Sequence, residues 1–203
     1  MRAFILCVLF ACALCATSNF MDIWEEIDDA NCTIKTYTDI CLRVYQSTGK
    51  IEPNFAKNVA HLKGLNVNLS AYVMPAITVD AATQVADVLA AIKGLKLKML
   101  WVCVEGTWTS DRTQNHEILN KFITGFKAAG ITPGIQTDDI NWQRIMGRDR
   151  GDYATYKLWF IRQDKRPDGG FRPFGGWRNP AAKQYEGAAE LCGDTYNRDA
   201  YWL

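Results

Sequence analysis

The sequence predicts an α/β fold, a single-domain barrel that turns irregular and helix-poor towards its C-terminus. Three observations carry this. Short apolar, β-branched runs alternate with amphipathic helical stretches through most of the chain, the pattern of β–α–β units around a parallel sheet. After Asp149 the strand-like runs continue while the helices stop. No Gly-x-Gly-x-x-Gly or Walker loop marks a nucleotide site, which favours a barrel over a doubly wound layer. At 203 residues, with no Pro/Ser-rich linker, low-complexity tract or internal repeat, the chain is of one-domain size and long enough to bury a proper core.

The chain opens with Arg2 and an apolar run, 3–16, that leads into small residues near Ser18. One positive charge ahead of an apolar run too short to span a bilayer reads as a signal peptide. The expected division is a leader over 1–18 and a barrel domain over 19–203. No second apolar stretch approaches spanning length, so the expected product has no membrane anchor and is secreted, extracellular or lumenal. Removing the leader takes Arg2 with it, and the formal net charge falls from +1 to about zero, a balance that argues against nucleic acid and against electrostatic adsorption to a membrane.

The first strand is predicted over 20–24, followed by an acidic stretch, 25–29, that starts a solvated helix. A second strand covers 38–44. Pro53 pre-sets the first turn of a helix over 53–62, and Gly64 ends it. A third strand, 67–74, stops at Pro75. Asp80 caps a helix whose apolar positions Ala81, Val85, Val88, Leu89 and Ile92 repeat with a helical period up to Gly94. A fourth strand covers 99–104. The next amphipathic helix carries Ile118, Leu119, Phe122, Ile123 and Phe126 and stops at Gly130. A fifth strand is predicted over 131–137 and a short helix over 140–146. The remaining strands, 158–162, 182–185 and 196–202, are joined by loops.

The fourth strand organises the chain. Met-Leu-Trp-Val-Cys-Val, 99–104, is apolar and short enough for a buried strand, and Glu105 and Gly106 close it at once. A carboxylate at the C-terminal tip of a buried parallel strand is where α/β barrels carry catalytic groups. Desolvation there moves a glutamate towards the range of a general acid.

Of seven cysteines, Cys7, Cys12 and Cys15 fall in the leader, which leaves Cys32, Cys41, Cys103 and Cys192. Four cysteines permit several pairings. Cys41 and Cys103 lie in apolar strand-like runs and read as small buried hydrophobes. Cys32 and Cys192 lie in polar segments near the two ends, and a bridge between them is the preferred pairing. There is no Cys-x-x-Cys, and His61 and His116 lack a metal-like constellation, so no zinc site or other metal is expected. Asn31-Cys-Thr and Asn68-Leu-Ser are glycosylation sequons in an exported chain, although Asn68 adjoins a strand.

Further motifs carry a family resemblance. Arg-Val-Tyr-Gln-Ser-Thr-Gly at 43–49, Trp-Val-Cys-Val-Glu-Gly at 101–106 and Gly-Ile-Gln-Thr at 134–137, with Asn141-Trp142 and Ile-Met-Gly at 145–147, come in order. They are followed by Leu-Trp-Phe at 158–160, Phe-Arg-Pro-Phe-Gly-Gly-Trp at 171–177, Lys-Gln-Tyr-Glu-Gly at 183–187, and Asp199. In order and spacing this resembles the invertebrate and amoeba-type lysozymes of glycoside hydrolase family 25, from about Met21 to the C-terminus.

The resemblance implies an irregular TIM-like β/α barrel whose groove cleaves the β-1,4 bond between N-acetylmuramic acid and N-acetylglucosamine. It assigns Glu105 as proton donor, with Asp22 and Asp199 as aspartates of the first and last strands. Tyr72, Trp142 and Trp177 would line the sugar groove. The implied partner is bacterial cell-wall glycan, bound by a monomer that uses no cofactor, in defence against bacteria or in their digestion.

Two positions depart from the family pattern. Cys103 stands where the family's Asp-x-Glu pair has its aspartate, and Gln136 stands where the fifth strand usually has tyrosine. In the family these groups hold and polarise the substrate's acetamido group, and a neutral thiol supplies no such charge. Three readings stay open: a glycosidase that works with Glu105 and Asp22 or Asp199, a glycan-binding relative without hydrolysis and with an immune-modulating role, and a structural descendant with no glycan affinity.

Overall fold

In the computed structural model the predicted alternation closes on itself. The structure describes residues 18–148 and 151–202; the expected leader, apart from Ser18, lies outside the described residues. The strands are β1 Ser18–Ile23, β2 Asp39–Gln46, β3 Lys50–Ile51, β4 Asn68–Val73, β5 Leu100–Cys103, β6 Gly134–Thr137, β7 Leu158–Ile161, β8 Ala182–Leu191 and β9 Asp194–Tyr201. The helices are α1 Ala30–Thr33, α2 Phe55–Leu62, α3 Ala81–Ala91, α4 Arg112–Ala128 and α5 Asp139–Ile145. Neighbours run β1-β9-β8-β7-β6-β5-β4-β2-β3, and β1 also pairs in parallel with β2. Eight strands therefore form a closed α/β barrel, with β3 folded back on β2 as a hairpin.

Within the ring of eight, β9 alone runs against its neighbours, β8 and β1. It follows β8 after Cys192 and Gly193 alone, and a connection that short permits only antiparallel pairing, because a parallel return needs a long crossover.

The pleat sorts the apolar runs onto two sides. Leu100, Val102 and Val104 point out of β5 into the core beneath the helices, together with Val73, Ile135, Phe122 and Phe126. Trp101 and Cys103 point inwards, with Phe20, Cys41, Tyr72, Trp159, Ala182 and Tyr201. Trp101 lies over Gly134 of β6: a Cβ built there would come within 2.3 Å of the indole. That indole is itself held against Trp159, with centroids 5.5 Å apart. Gly134→Ala is therefore expected to destabilise by about 2–3 kcal/mol through overpacking, measured by urea unfolding. A loss under ~0.5 kcal/mol would show that the indole yields freely.

Several boundaries differ from expectation. The acidic stretch 25–29 is not helical; it is irregular chain that buries Ile27, and Asp29 caps α1 by accepting from Cys32 N. The helix expected from Pro53 begins at Phe55, because Pro53 and Asn54 form a turn closed by Phe55 N to Glu52 O. Strand β6 starts at Gly134 rather than at 131, since Pro133 has no N–H for the ladder. Strand β8 runs on to Leu191 across register shifts at Glu186 and Ala189.

The bridge Cys32–Cys192 is present, with Cα atoms 6.1 Å apart, while Cys41 and Cys103 are buried free thiols. It ties α1 to the β8–β9 turn, where Asp194 and Glu25 accept from the backbone N–H groups of Asp28 and Thr195. Asn31 is exposed on α1. Asn68, also exposed, is the first residue of β4 and donates to Asp39, while Ser70 of its sequon is buried inside the barrel.

Candidate active site

Because seven barrel strands run in parallel, their C-terminal ends meet at one face. The inward positions near that face carry Asp22 on β1, Arg43 on β2, Tyr72 on β4, Gln136 on β6 and Gln184 on β8. Asn197 reaches it from β9, and Glu105 comes from just beyond β5. All seven line a cavity of about 440 Å³. A second hollow, about 450 Å³, is bounded by Ser47, Thr107 and Cys103 and shares Met74 and Glu105 with the first. Glu105 thus borders both hollows.

Glu105 is half-buried and makes no side-chain hydrogen bond to a described residue. Burial first, then the negative charges of Asp22 and Asp138, push its pKa up to about 7. Asp22 is buried and accepts from Gln184 Nε2 at 2.8 Å and Asn197 Nδ2 at 3.1 Å. Burial raises its pKa to about 6, against the pull of hydrogen bonds from Asp199, Gln184 and Asn197 and the charge of Arg43.

Asp199 is fully buried and does not line the cavity; it lies behind Asp22. Its Oδ1 accepts from Trp159 Nε1 at 2.9 Å, and its Oδ2 meets no N–H donor among the described residues. Burial and the adjacent Asp22 charge hold its pKa well above the usual carboxylate range. Protonated, Oδ2 becomes the donor in the hydrogen bond to Asp22, and the two carboxyls share one proton and one negative charge.

The raised Glu105 pKa has a consequence for stability. Below about pH 4.5 the carboxyl is neutral in both folded and unfolded chains. As pH rises towards and through about 7, the folded state must create a charge in a desolvated place, so stability falls. Glu105→Gln removes this cost and leaves no hydrogen bond broken. It is expected to stabilise the chain at pH 8 by about 2 kcal/mol, with no gain near pH 4; denaturant melts at both pH values check the sign. A gain equal at both would mean that the charge is not the cause.

Tyr72 lines the cavity beside Arg43, but Trp142 and Trp177 do not come to the groove. They pack edge to face on each other at 4.7 Å, buried outside the barrel against Tyr153 and Phe174, and Trp177 Nε1 donates to Tyr156 O. An isolated tryptophan in a sequence does not say which side of an element it covers. Among the described residues no His, Cys, Asp or Glu group is arranged to hold a metal. His116 is taken up by Tyr153 Oη and Met146 O.

Arg43, Gln184 and Asn197 carry site geometry to which sequence reading gave no role. Arg43 could have been found, because it follows Cys41 by two on the same strand and so faces inwards. Its Nε binds Glu52 at 2.6 Å while the guanidinium lines the cavity. Gln184 and Asn197 become neighbours of Asp22 only through strand register, in the pairs Asp22↔Asn197 and Gln184↔Asp199.

The two departures from the family pattern are in contact. Cys103 donates its S–H to Gln136 Oε1, and burial with the Glu105 and Asp22 charges pushes the thiol pKa well above its ordinary value. The thiol therefore keeps its proton, and this wall of the groove is neutral.

Barrel, groove and carboxyl pair define a glycoside-hydrolase-like α/β barrel. The family model described as Lysozyme-like protein 1 matches residues 17–185. Lysozyme-like protein 5 of Caenorhabditis elegans is 30% identical over 193 residues, covering 90% of each chain. A probable GH family 25 lysozyme of Dictyostelium discoideum, numbered 2, is 28% identical over 172 residues, covering 81% of this chain and 80% of its own. Among solved structures, a family 25 glycosyl hydrolase from Bacillus anthracis superposes with a TM-score of 0.74 at 14% identity, covering 91% and 88% of the two chains. The family GH25 lysozyme of Aspergillus fumigatus gives 0.74 at 14% identity, covering 92% and 94%. The chain belongs to the lysozyme-like proteins of glycoside hydrolase family 25.

Proposed function

We propose that this chain is a muramidase-type glycoside hydrolase that cuts the β-1,4 bond between N-acetylmuramic acid and N-acetylglucosamine in bacterial peptidoglycan. The observation that carries the reading is Glu105: half-buried, unpaired among the described residues, with a pKa near 7, bordering both hollows and beside Asp22. Protonated Glu105 gives its proton to the glycosidic oxygen as the bond to the anomeric carbon breaks. Asp22, held by two amide donors, faces the positive charge that develops on the sugar. Water adds to the anomeric carbon, and the proton it loses returns to Glu105. The buried Asp199 is a positioning residue, confining the shared negative charge to Asp22. Export after loss of a leader, with a role in digestion of bacteria or defence against them, completes the proposal; no helix among the described residues is long and apolar enough to cross a membrane.

A second reading, a glycan binder without hydrolysis, is favoured by one observation: the wall formed by Cys103 and Gln136 carries no charge. Clearing of bacterial cell-wall suspensions, with assay of new reducing ends, separates the two. Clearing with matching reducing ends supports the hydrolase. No clearing, with retention on insoluble peptidoglycan, supports the binder. Neither clearing nor retention overturns both.

A further inference from the structure

The end of the barrel opposite the groove is built from the segments that lead into β4, β5, β6 and β7, four strands that lie side by side. These segments, 63–67, 92–99, 127–133 and 154–157, carry six exposed lysines and no Asp or Glu. Lys98 is spent on Asp39, while Lys63, Lys93, Lys96, Lys127 and Lys157 form no ion pair among the described residues. Beyond Asp39, the acid beside this end is Asp168, next to Pro167, whose carbonyl accepts from Trp202 Nε1. At the groove end the sign reverses, because Asp80, Asp111 and Asp138 cap α3, α4 and α5 there. A net charge near zero is therefore the sum of two unlike ends, and it conceals a cationic face. Helix dipoles account for Lys63, Lys93 and Lys127, beside the C-terminal ends of α2, α3 and α4. They do not account for Lys96, Lys98 and Lys157, which lie beyond the last helical turns.

We propose that this cationic end adsorbs to an anionic lipid bilayer, with the groove turned away from the surface. Two features favour a bilayer over a dissolved polyanion. The cations of the four segments are all lysines, compact hydrated point charges that suit a diffuse field, whereas reading single phosphates favours the fork of arginine. Between the lysines stand half-exposed apolar side chains, Leu65, Val67, Leu95, Leu97 and Ile131. The last three line a hollow of about 460 Å³ that Lys96 and Lys98 also border. Apolar side chains among lysine stems match the boundary between headgroups and acyl chains, and a polymer in water would gain nothing from them. A cluster of about four to eight cations is the size that attracts a protein to an anionic leaflet. The attachment is adsorption and needs no spanning segment. It does not depend on the glycan reading of the groove.

The test is co-sedimentation of the full chain, without any sugar, with vesicles of equal parts phosphatidylglycerol and phosphatidylcholine, beside vesicles of phosphatidylcholine alone. Binding is expected to the anionic vesicles only, and to fall as salt is raised to about 0.5 M. Lys93→Gln combined with Lys96→Gln, both exposed positions, is expected to weaken it by about tenfold or more. A control pair removes the same charge elsewhere: Lys50→Gln on β3 with Lys121→Gln, whose ammonium pairs with the α3 cap Asp80. Lying farther than a screening length from the adsorbed face, that pair is expected to change binding by less than about twofold. Equal binding to neutral and anionic vesicles, or equal weakening by the two pairs of substitutions, overturns the proposal. Binding to purified wall teichoic acid without binding to vesicles also overturns it, and assigns the face to a phosphodiester polymer.

Discussion

Glu105→Gln is expected to lower wall hydrolysis by two to four decades while leaving binding to insoluble peptidoglycan close to wild type. Removing a positioned general acid forfeits about that factor, and the amide keeps the shape without a proton to give. The pH profile makes the assignment stricter. Glu105 must carry its proton and Asp22 must not, so activity should fall as pH drops below about 6 and again as it rises beyond about 7. These limbs belong to a coupled set of carboxyls, in which Asp22 raises Glu105 and Asp199 bonds Asp22, and are read as properties of the set. In Glu105→Gln the alkaline limb should vanish from any residual rate. A variant with unaltered turnover would remove Glu105 from the chemistry.

Cys103→Asp is expected to raise hydrolysis by about one to two decades, measured as new reducing ends. The loss of one preorganised electrostatic group commonly costs two to three decades, and this substitution restores only one of the two departed positions. The new carboxyl would lie within reach of Gln136 and add negative charge near Glu105. That charge should push the Glu105 pKa higher still and carry the alkaline limb upwards with it. A folded Cys103→Asp chain with an unchanged rate would mean that the neutral wall does not limit catalysis.

What the sequence disclosed and what it withheld follow from range. The place of Glu105 at the tip of β5 was legible because a strand and its closing carboxylate are contiguous, and the strand–helix alternation because each element spans a short window. The bridge between Cys32 and Cys192 was legible by contrast, since the other two cysteines sat in apolar runs. Asp22's dependence on Gln184 and Asn197 was not, because it arises from register between strands at opposite ends of the chain. Trp142 and Trp177 misled for a related reason: an aromatic side chain suits a sugar groove and a core equally well, and only its neighbours decide. Glu186 and Ala189 hid the length of β8, since a strand interrupted by bulges loses the period by which it is recognised.

The position of β9 between β8 and β1 has a bearing on how the molecule is made. Until the final strand is synthesised, β1 and β8 are open sheet edges, and the nascent chain is exposed to pairing with other molecules. Insertion of β9 joins the two ends of the sequence in one step, the slow kind of event that long-range contacts impose on folding. The same step brings Asn197 and Asp199 to Asp22. A chain truncated before β9 would therefore lack the proton-sharing pair altogether, and chemical competence appears only when the ring is complete.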